Sequence, residues 1–355
     1  MPSSSLTRSP AVRRPRSRFR AALWPLLALL IGSLASLAVG IAVHQRTQAD
    51  SESAFHRQVD RLQSDLARSF ERPQHALNAM VGFYNASRSV ERAEFDAYWE
   101  HHDIGKEFPG VRSLGFIEPV KRENLAAFIA REKADGLTDY VVQSQGEDPE
   151  LLLVRHAISD NGTRAALGID INPEPQRRAA AVKAIGTGQV TLSNPIQIKT
   201  EGSETLGFLM LQPVYRSGAD PTTYAQRRAA LVGLVYSAIL AHDIMKPAMG
   251  DMQGLVDFDV FDGVISSGAP VVFSSSPQAA RAKPRFEQDR IMEIAGLTLT
   301  VRAHSTPSFE ALQDHSRAGL VGTIGMLFTL AVVGGFWLLT RGREAAENRA
   351  TRIAH

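Results

Sequence analysis

The chain has 355 residues, 44% of them hydrophobic and 21% charged, with a formal net charge of +2. That length allows about two or three domains, and so small a net charge gives no reason to expect a nucleic-acid partner. There is no Cys, which excludes disulfides and thiolate metal sites, so any part outside the cytoplasm has to be held together by core packing alone.

The charge is unevenly placed. The first 20 residues carry six Arg and no acid. Residues 21–43 follow as an uncharged apolar run of about 23 residues, enough to cross a bilayer. The run is longer than the ~7–15 residues of a cleavable signal core, which favours an uncleaved anchor with a cytoplasmic basic N-terminus (1–20) by the positive-inside rule. Residues 318–340 form a second such run, with Trp337 near its end and Arg341 and Arg343 just beyond it. Both termini are therefore expected in the cytoplasm, with residues 44–317 outside, in a two-pass inner (plasma) membrane protein whose remaining partner is the lipid bilayer. Gly322, Gly325, Gly334 and Gly335 allow close helix contact, although no GxxxG pair occurs.

Outside the membrane, Phe55, Val59, Leu62, Leu66 and Phe70 recur at helical spacing, and Leu77, Met80 and Tyr84 continue the stripe after a break at Pro73. This predicts a stalk helix over 45–85, kinked before the proline. It is either packed on its own domain or paired in a homodimer. Ser89 and Glu91 start a second helix, with Phe95, Tyr98, Trp99 and His102 on its buried face. His102 is read as a core-edge histidine, not a ligand. Residues 111–119, 140–143 and 151–158 read as strands, and 121–133 as a surface helix with Leu125, Phe128 and Ile129 inward.

The stretch 166–215 is the most clearly punctuated. Asn172 caps a helix, Pro173 sits in its first turn and Glu174 lies on the positive end of its dipole. Ala181, Val182 and Ile185 form the inner face, and Gly186 and Gly188 stop the helix. Val190, Leu192, Ile196 and Ile198 alternate inward against outward Thr191, Ser193, Gln197 and Lys199. Residues 200–205 make a polar turn, residues 206–211 a strand apolar on both faces, and Pro213 ends the pairing. Residues 90–228 form one strand-rich unit and 229–305 a second. In the second, residues 229–236, 256–261 and 271–274 are strands, 239–248 a helix, and 290–304 a hairpin turning at Ala295-Gly296. Asp251, Asp257, Asp259 and Asp262 lack the loop spacing of a calcium site and read as a solvated strand face.

Taken in order, Phe108-Pro109-Gly110-Val111, Leu114-Gly115-Phe116, Leu167-Gly168-Ile169-Asp170, Arg177-Arg178, Gly186-Thr187-Gly188, Gly207-Phe208-Leu209 and Pro213-Val214-Tyr215 resemble the motifs of CHASE domains over roughly residues 68–304. These are extracytoplasmic sensor domains of bacterial receptors and plant cytokinin receptors. The resemblance implies an α+β fold: a long stalk helix, then two tandem PAS-like units, flanked by two transmembrane helices. It places a small-molecule ligand in the distal unit. In the cytokinin receptors the Asp at the place of Asp170 hydrogen-bonds the ligand and an apolar residue near Leu192 packs on it. The other wall residues here would be Phe208 and Leu211, with Thr200 or Thr205 as the polar contact. Asp170 can equally satisfy backbone at the turn before Asn172, and Leu192 can equally be plain core.

The expected function is thus a membrane-anchored sensor, using no cofactor or metal, that binds a small molecule and passes a conformational signal inward. Residues 341–355 read as a short cytoplasmic helix too small for an output module, so a kinase or cyclase output would lie on a partner or be missing from a truncated receptor. The competing readings are a ligand-free scaffold or dimerisation module and an anchored enzyme. The chain has no G-x-S-x-G, H-E-x-x-H or P-loop, so catalysis is not expected.

Overall fold

The structure is a computed structural model, and it describes residues 16–100, 102–200, 203–265, 268–277, 283–313 and 323–338. The basic residues 1–15 and the tail 339–355, with Arg341 and Arg343, lie outside the described residues, as do residues 314–322 of the second apolar run. The chain divides into two compact units, one of residues 1–54 with 312–355 and one of residues 55–311.

Helix α1 (Arg16–Ala86) is 71 residues long and contributes to both units. From Leu29 onward it is long and apolar enough to cross a membrane, and Leu30, Ile31, Leu34 and Leu37 are exposed. Of the second apolar run, the described residues form the helix Thr323–Leu338. Within this unit Ser36 lies against Gly325, where an added Cβ would come 3.0 Å from its hydroxyl, while Gly334 and Gly335 have no such neighbour.

In the larger unit, Phe55, Val59, Leu62, Leu66, Phe70, Leu77, Met80 and Tyr84 of α1 are all buried. Their partners are in the same chain: Phe55 meets Phe286 and Phe309, Phe70 meets Phe208, and Tyr84 stacks on Phe116 at 4.1 Å. The helix runs through Pro73 without interruption. One lost backbone hydrogen bond is a small cost beside a buried stripe of eight large side chains.

Two antiparallel sheets follow. The first contains β1 (Val111–Lys121), β2 (Glu150–Ser159), β3 (Thr191–Leu192), β4 (Ile196–Thr200), β5 (Ser203–Tyr215) and β6 (Leu231–Leu240), in the order β2-β1-β6-β5-β3 with β4 also on β5. β6 was expected to open the second unit from residue 229. It is instead the central strand of the first sheet, because its continuous apolar run is covered on both sides. The strand expected over 140–143 is a single bridge, Gln143 to Ile169. Of the expected polar turn of 200–205, Thr200 is paired with Ser203 and Ile198 with Thr205 in the β4–β5 ladder, and residues 201–202 lie outside the described residues. Pro213 does not end β5 but sits in register with Leu234. β3 has ended by Leu211, so the proline lies where β5 has only one neighbour.

The helices of this part are α2 (Arg92–Trp99), α3 (Ile104–Glu107), α4 (Leu125–Ala134), α5 (Pro175–Thr187) and α6 (Tyr224–Ala230). α2 starts at Glu91 in a capping box with Glu94 and buries Phe95 and Trp99. It ends before His102, which lies outside the helix, bonded to Glu107 at 2.8 Å and edge-on to the buried Trp99 ring at 5.2 Å, a satisfied histidine at the core edge.

The second sheet has the order β8-β7-β10-β9 and consists of β7 (Val256–Asp262), β8 (Val271–Ser274), β9 (Glu287–Ile294) and β10 (Leu297–Ser305), flanked by α7 (Ala241–Asp251) and α8 (Pro307–Leu312). Ala295 (φ 47°) and Gly296 (φ 74°) form the two-residue turn between β9 and β10, as the sequence indicates. Asp259 is not on a solvated face: it is buried, taking the Ser274 hydroxyl at 2.7 Å and facing His304 at 3.2 Å.

Candidate ligand-binding face

Antiparallel register decides which side chains share a side of the first sheet. Phe208, Met210 and Gln212 of β5 face α1, through Phe70 and Asn78. Leu209 and Leu211 face the opposite side, where Ile117, Val154, Ala157, Leu234, Tyr236 and Ala238 meet Ala180, Ala181, Ala184 and Ile185 of α5. Alanines let this helix lie close to the sheet.

The start of α5 differs from the expected one. Glu174 is the cap, accepting from the N–H groups of Gln176 (3.2 Å) and Arg177 (2.7 Å), and Pro175 takes the first helical position. Asn172 instead donates to the Glu150 carbonyl at 2.9 Å. Val182 points outward, and Gly188 ends the helix in the left-handed region at φ 75°.

Asp170 is buried beside this face. Its Oδ1 accepts from the N–H groups of Leu152 (3.0 Å) and Asn172 (3.1 Å), and its Oδ2 from the Ser144 hydroxyl (2.8 Å). The carboxylate thus fastens the segment before α5 to β2. The segment is drawn so close that a Cβ on Gly168 (φ 75°) would run into the Val141 carbonyl.

The proposed wall residues divide between the two sides. Leu211 lies on the α5 side, and Thr205, in register with Ile198, shares that side at its edge. Leu192 pairs with Met210 and Phe208 packs on Phe70, so both belong to the α1 side. The chain turns between Ser193 and Pro195, which moves Leu192 to the face opposite Ile196 and Ile198. Thr191 and Ser193, expected outward, are buried, and the Ser193 hydroxyl accepts from the Leu209 N–H at 2.9 Å. Thr200 ends β4, with its side chain outside the described residues.

Sequence reasoning missed two polar groups on the α5 side. Tyr236 lies over Gly115, where a Cβ would come 2.7 Å from its ring, and its hydroxyl is 3.2 Å from the Ser113 hydroxyl. Burial pushes this phenol up to about 12, opposed by the Ser113 bond and the Arg177 charge. Arg177, on the first turn of α5, donates from Nη2 to the Gln197 carbonyl at 2.9 Å, while its buried Nε has no hydrogen-bond partner. Burial lowers its pKa. The Arg177-Arg178 pair was the available signal, since only one of two adjacent helical residues can turn inward.

A separate ionic core lies on the other side of β2. Glu132 is fully buried between Arg92 (2.9 Å) and Arg155 (2.9 Å), and His156 bonds the Tyr84 hydroxyl. Glu132, Asp135 and His156 bring possible ligand atoms within 4.8 Å of one another. The guanidinium groups of Arg92 and Arg155 already occupy Glu132, which argues for an ion-pair lattice and against a cation site.

The CHASE domain family model matches residues 88–273, more than half of the chain, from just before α2 to β8. The chain belongs to the CHASE domain family. This CHASE protein is accordingly an α+β extracytoplasmic sensor with a membrane anchor in α1. Solved structures similar to it include the periplasmic sensory domain of the Campylobacter jejuni chemoreceptor Tlp1 (11% identity, 75% of this chain and 97% of that one, TM-score 0.45). Others are a methyl-accepting chemotaxis protein X (12%, 74% and 99%, 0.42) and the ligand-binding domain of the Pseudomonas aeruginosa PAO1 amino-acid chemoreceptor PctC in complex with GABA (13%, 71% and 98%, 0.38). No curated protein matches the chain.

Proposed function

We propose that this CHASE protein is a non-catalytic, membrane-anchored receptor that binds a small molecule between α5 and the sheet face carrying Leu209, Leu211 and Tyr236. Thr205 and Leu211 contribute to the wall, and Asp170 keeps the covering segment in register. The observation that carries this reading is the double engagement of α5. Its inner alanines cover the face, while Lys183 on its outer side donates to the Gly296 carbonyl at 2.6 Å. Neighbouring β3 meets the same hairpin, Leu192 N–H to the Ala295 carbonyl at 3.0 Å. A ligand that moves α5 therefore acts on the β9–β10 turn, and a two-state shift of this kind needs only differential affinity for the two arrangements.

In this reading each sheet with its helices is one PAS-like unit, the chain crosses the membrane twice with both termini inside, and a kinase or cyclase on a partner, or a second copy of the chain, receives the signal. The full-length chain in lipid nanodiscs, screened by thermal unfolding against a metabolite library, tests this. A ligand present at 100 times its Kd stabilises by about 2.7 kcal/mol, which is readily seen. A library that stabilises nothing favours the ligand-free scaffold.

A further inference from the structure

The α5 side of the first sheet is mostly alkyl; among its polar groups, the Tyr236 and Ser113 hydroxyls are 3.2 Å apart, and Tyr236 packs with Ala180 and Ala181, one helical turn beyond Arg177. The needs of these groups are unequal. Tyr236 and Ser113 can satisfy each other. Arg177 spends one nitrogen on the Gln197 carbonyl and keeps a buried Nε–H unbonded, its nearest carboxylate oxygen, on Glu174, standing 3.8 Å away. Glu174 cannot close that gap freely, because both its oxygens cap α5. The 3.8 Å ion pair with Glu174 is too long to be a hydrogen bond, and a buried N–H without one is costly and calls for an acceptor.

The neighbouring acid points the same way. Asp170, the carboxylate best placed to receive an ammonium group, already takes the Ser144, Leu152 and Asn172 donors. This part of the face thus offers donors and no spare anion, and the close-lying alanines of α5 restrict the occupant to a small one. We propose that the face takes a small organic acid, with its carboxylate held by the Arg177 Nε–H and the Tyr236 hydroxyl and its carbon chain lying toward Leu209 and Leu211. This rests on the binding face proposed above and names the chemical class it selects.

The test uses the full-length chain in nanodiscs and matched probes: monocarboxylates of three to six carbons, their primary amides, and inorganic phosphate. At least one carboxylate is expected to raise the unfolding temperature while its amide does not. Arg177→Gln is expected to weaken that carboxylate at least tenfold. Tyr236→Phe, which keeps the ring over Gly115, is expected to weaken it severalfold with the unliganded unfolding temperature nearly unchanged. Equal stabilisation by acid and amide, full binding by both variants, or a shift with phosphate alone would overturn the carboxylate assignment. If only neutral or cationic members of the metabolite library bind, the sensor reading stands and the acid is ruled out. If nothing binds in either set, both fail.

Discussion

The Tyr84 hydroxyl, near the end of α1, lies 2.6 Å from His156 Nδ1 on β2, in a fully buried contact beneath the Phe95 ring. It joins the long helix to the strand whose other side borders the proposed ligand face. Burial, with Arg155, Arg92 and Arg131 nearby, lowers the His156 pKa to about 2. The imidazole is neutral when folded and protonates near ~6.5 when unfolded. The unfolded chain then binds more protons between those values, so this group's contribution is complete above ~6.5 and declines as the pH falls toward 2. In the double variant His156→Phe/Tyr84→Phe, the loss of stability on acidification from pH 6 to pH 5 should be smaller than in the parent by about 1 kcal/mol. Denaturant unfolding at the two pH values measures it; identical losses would show that His156 is not the titrating group.

Glu132 is a sharper stability test. Replacing it with Gln leaves the Arg92 and Arg155 guanidiniums buried without their counter-charge, and breaking one side of such a pair typically costs about 3–5 kcal/mol. Chemical unfolding of Glu132→Gln should show a loss of that size. A change below ~1 kcal/mol, the size found for exposed pairs, would mean that solvent reaches this lattice.

Asp170→Ala should destabilise the sensor by roughly 3 kcal/mol, since it strips an acceptor from the buried Leu152 N–H, the half-buried Asn172 N–H and the Ser144 hydroxyl. Asp170→Asn keeps one oxygen for the Leu152 and Asn172 N–H groups and should recover part of the loss. Equal stability of the Ala variant and the parent would remove Asp170 from the fastening of the segment before α5.

Lys183→Met should change stability by less than ~1 kcal/mol, because the bond to Gly296 is exposed. Its effect belongs to transmission: ligand-induced protection of β9 and β10 should shrink while ligand affinity stays near that of the parent. Unchanged protection of the hairpin would place the route elsewhere.

Much of this was legible in the sequence. The α1 stripe, the strand at 151–158 and the Ala295-Gly296 turn follow from period and turn chemistry, while the CHASE assignment comes from the resemblance of the ordered motifs to that family. What was not legible depends on which strand lies beside which. β6 looks like the start of a new unit because its central place between β1 and β5 is a long-range pairing. Leu192 reads as inward because alternation was carried across Ser193–Pro195, where the chain turns. Tyr236 and the buried Glu132 carry no local signature, since their places are set by partners far away in sequence, and the Arg177-Arg178 pair says only that one of the two turns inward.

The central claim is that a small molecule settles under α5. Amide hydrogen exchange on the full-length chain in nanodiscs, with and without a compound that raises its unfolding temperature, tests this most directly. The account predicts added protection in residues 166–187 and in β5 and β6, with a smaller change at the β9–β10 turn. Protection confined to the groove between α1 and α7, lined by Arg68, Arg72 and Pro247, with none at α5, would contradict it.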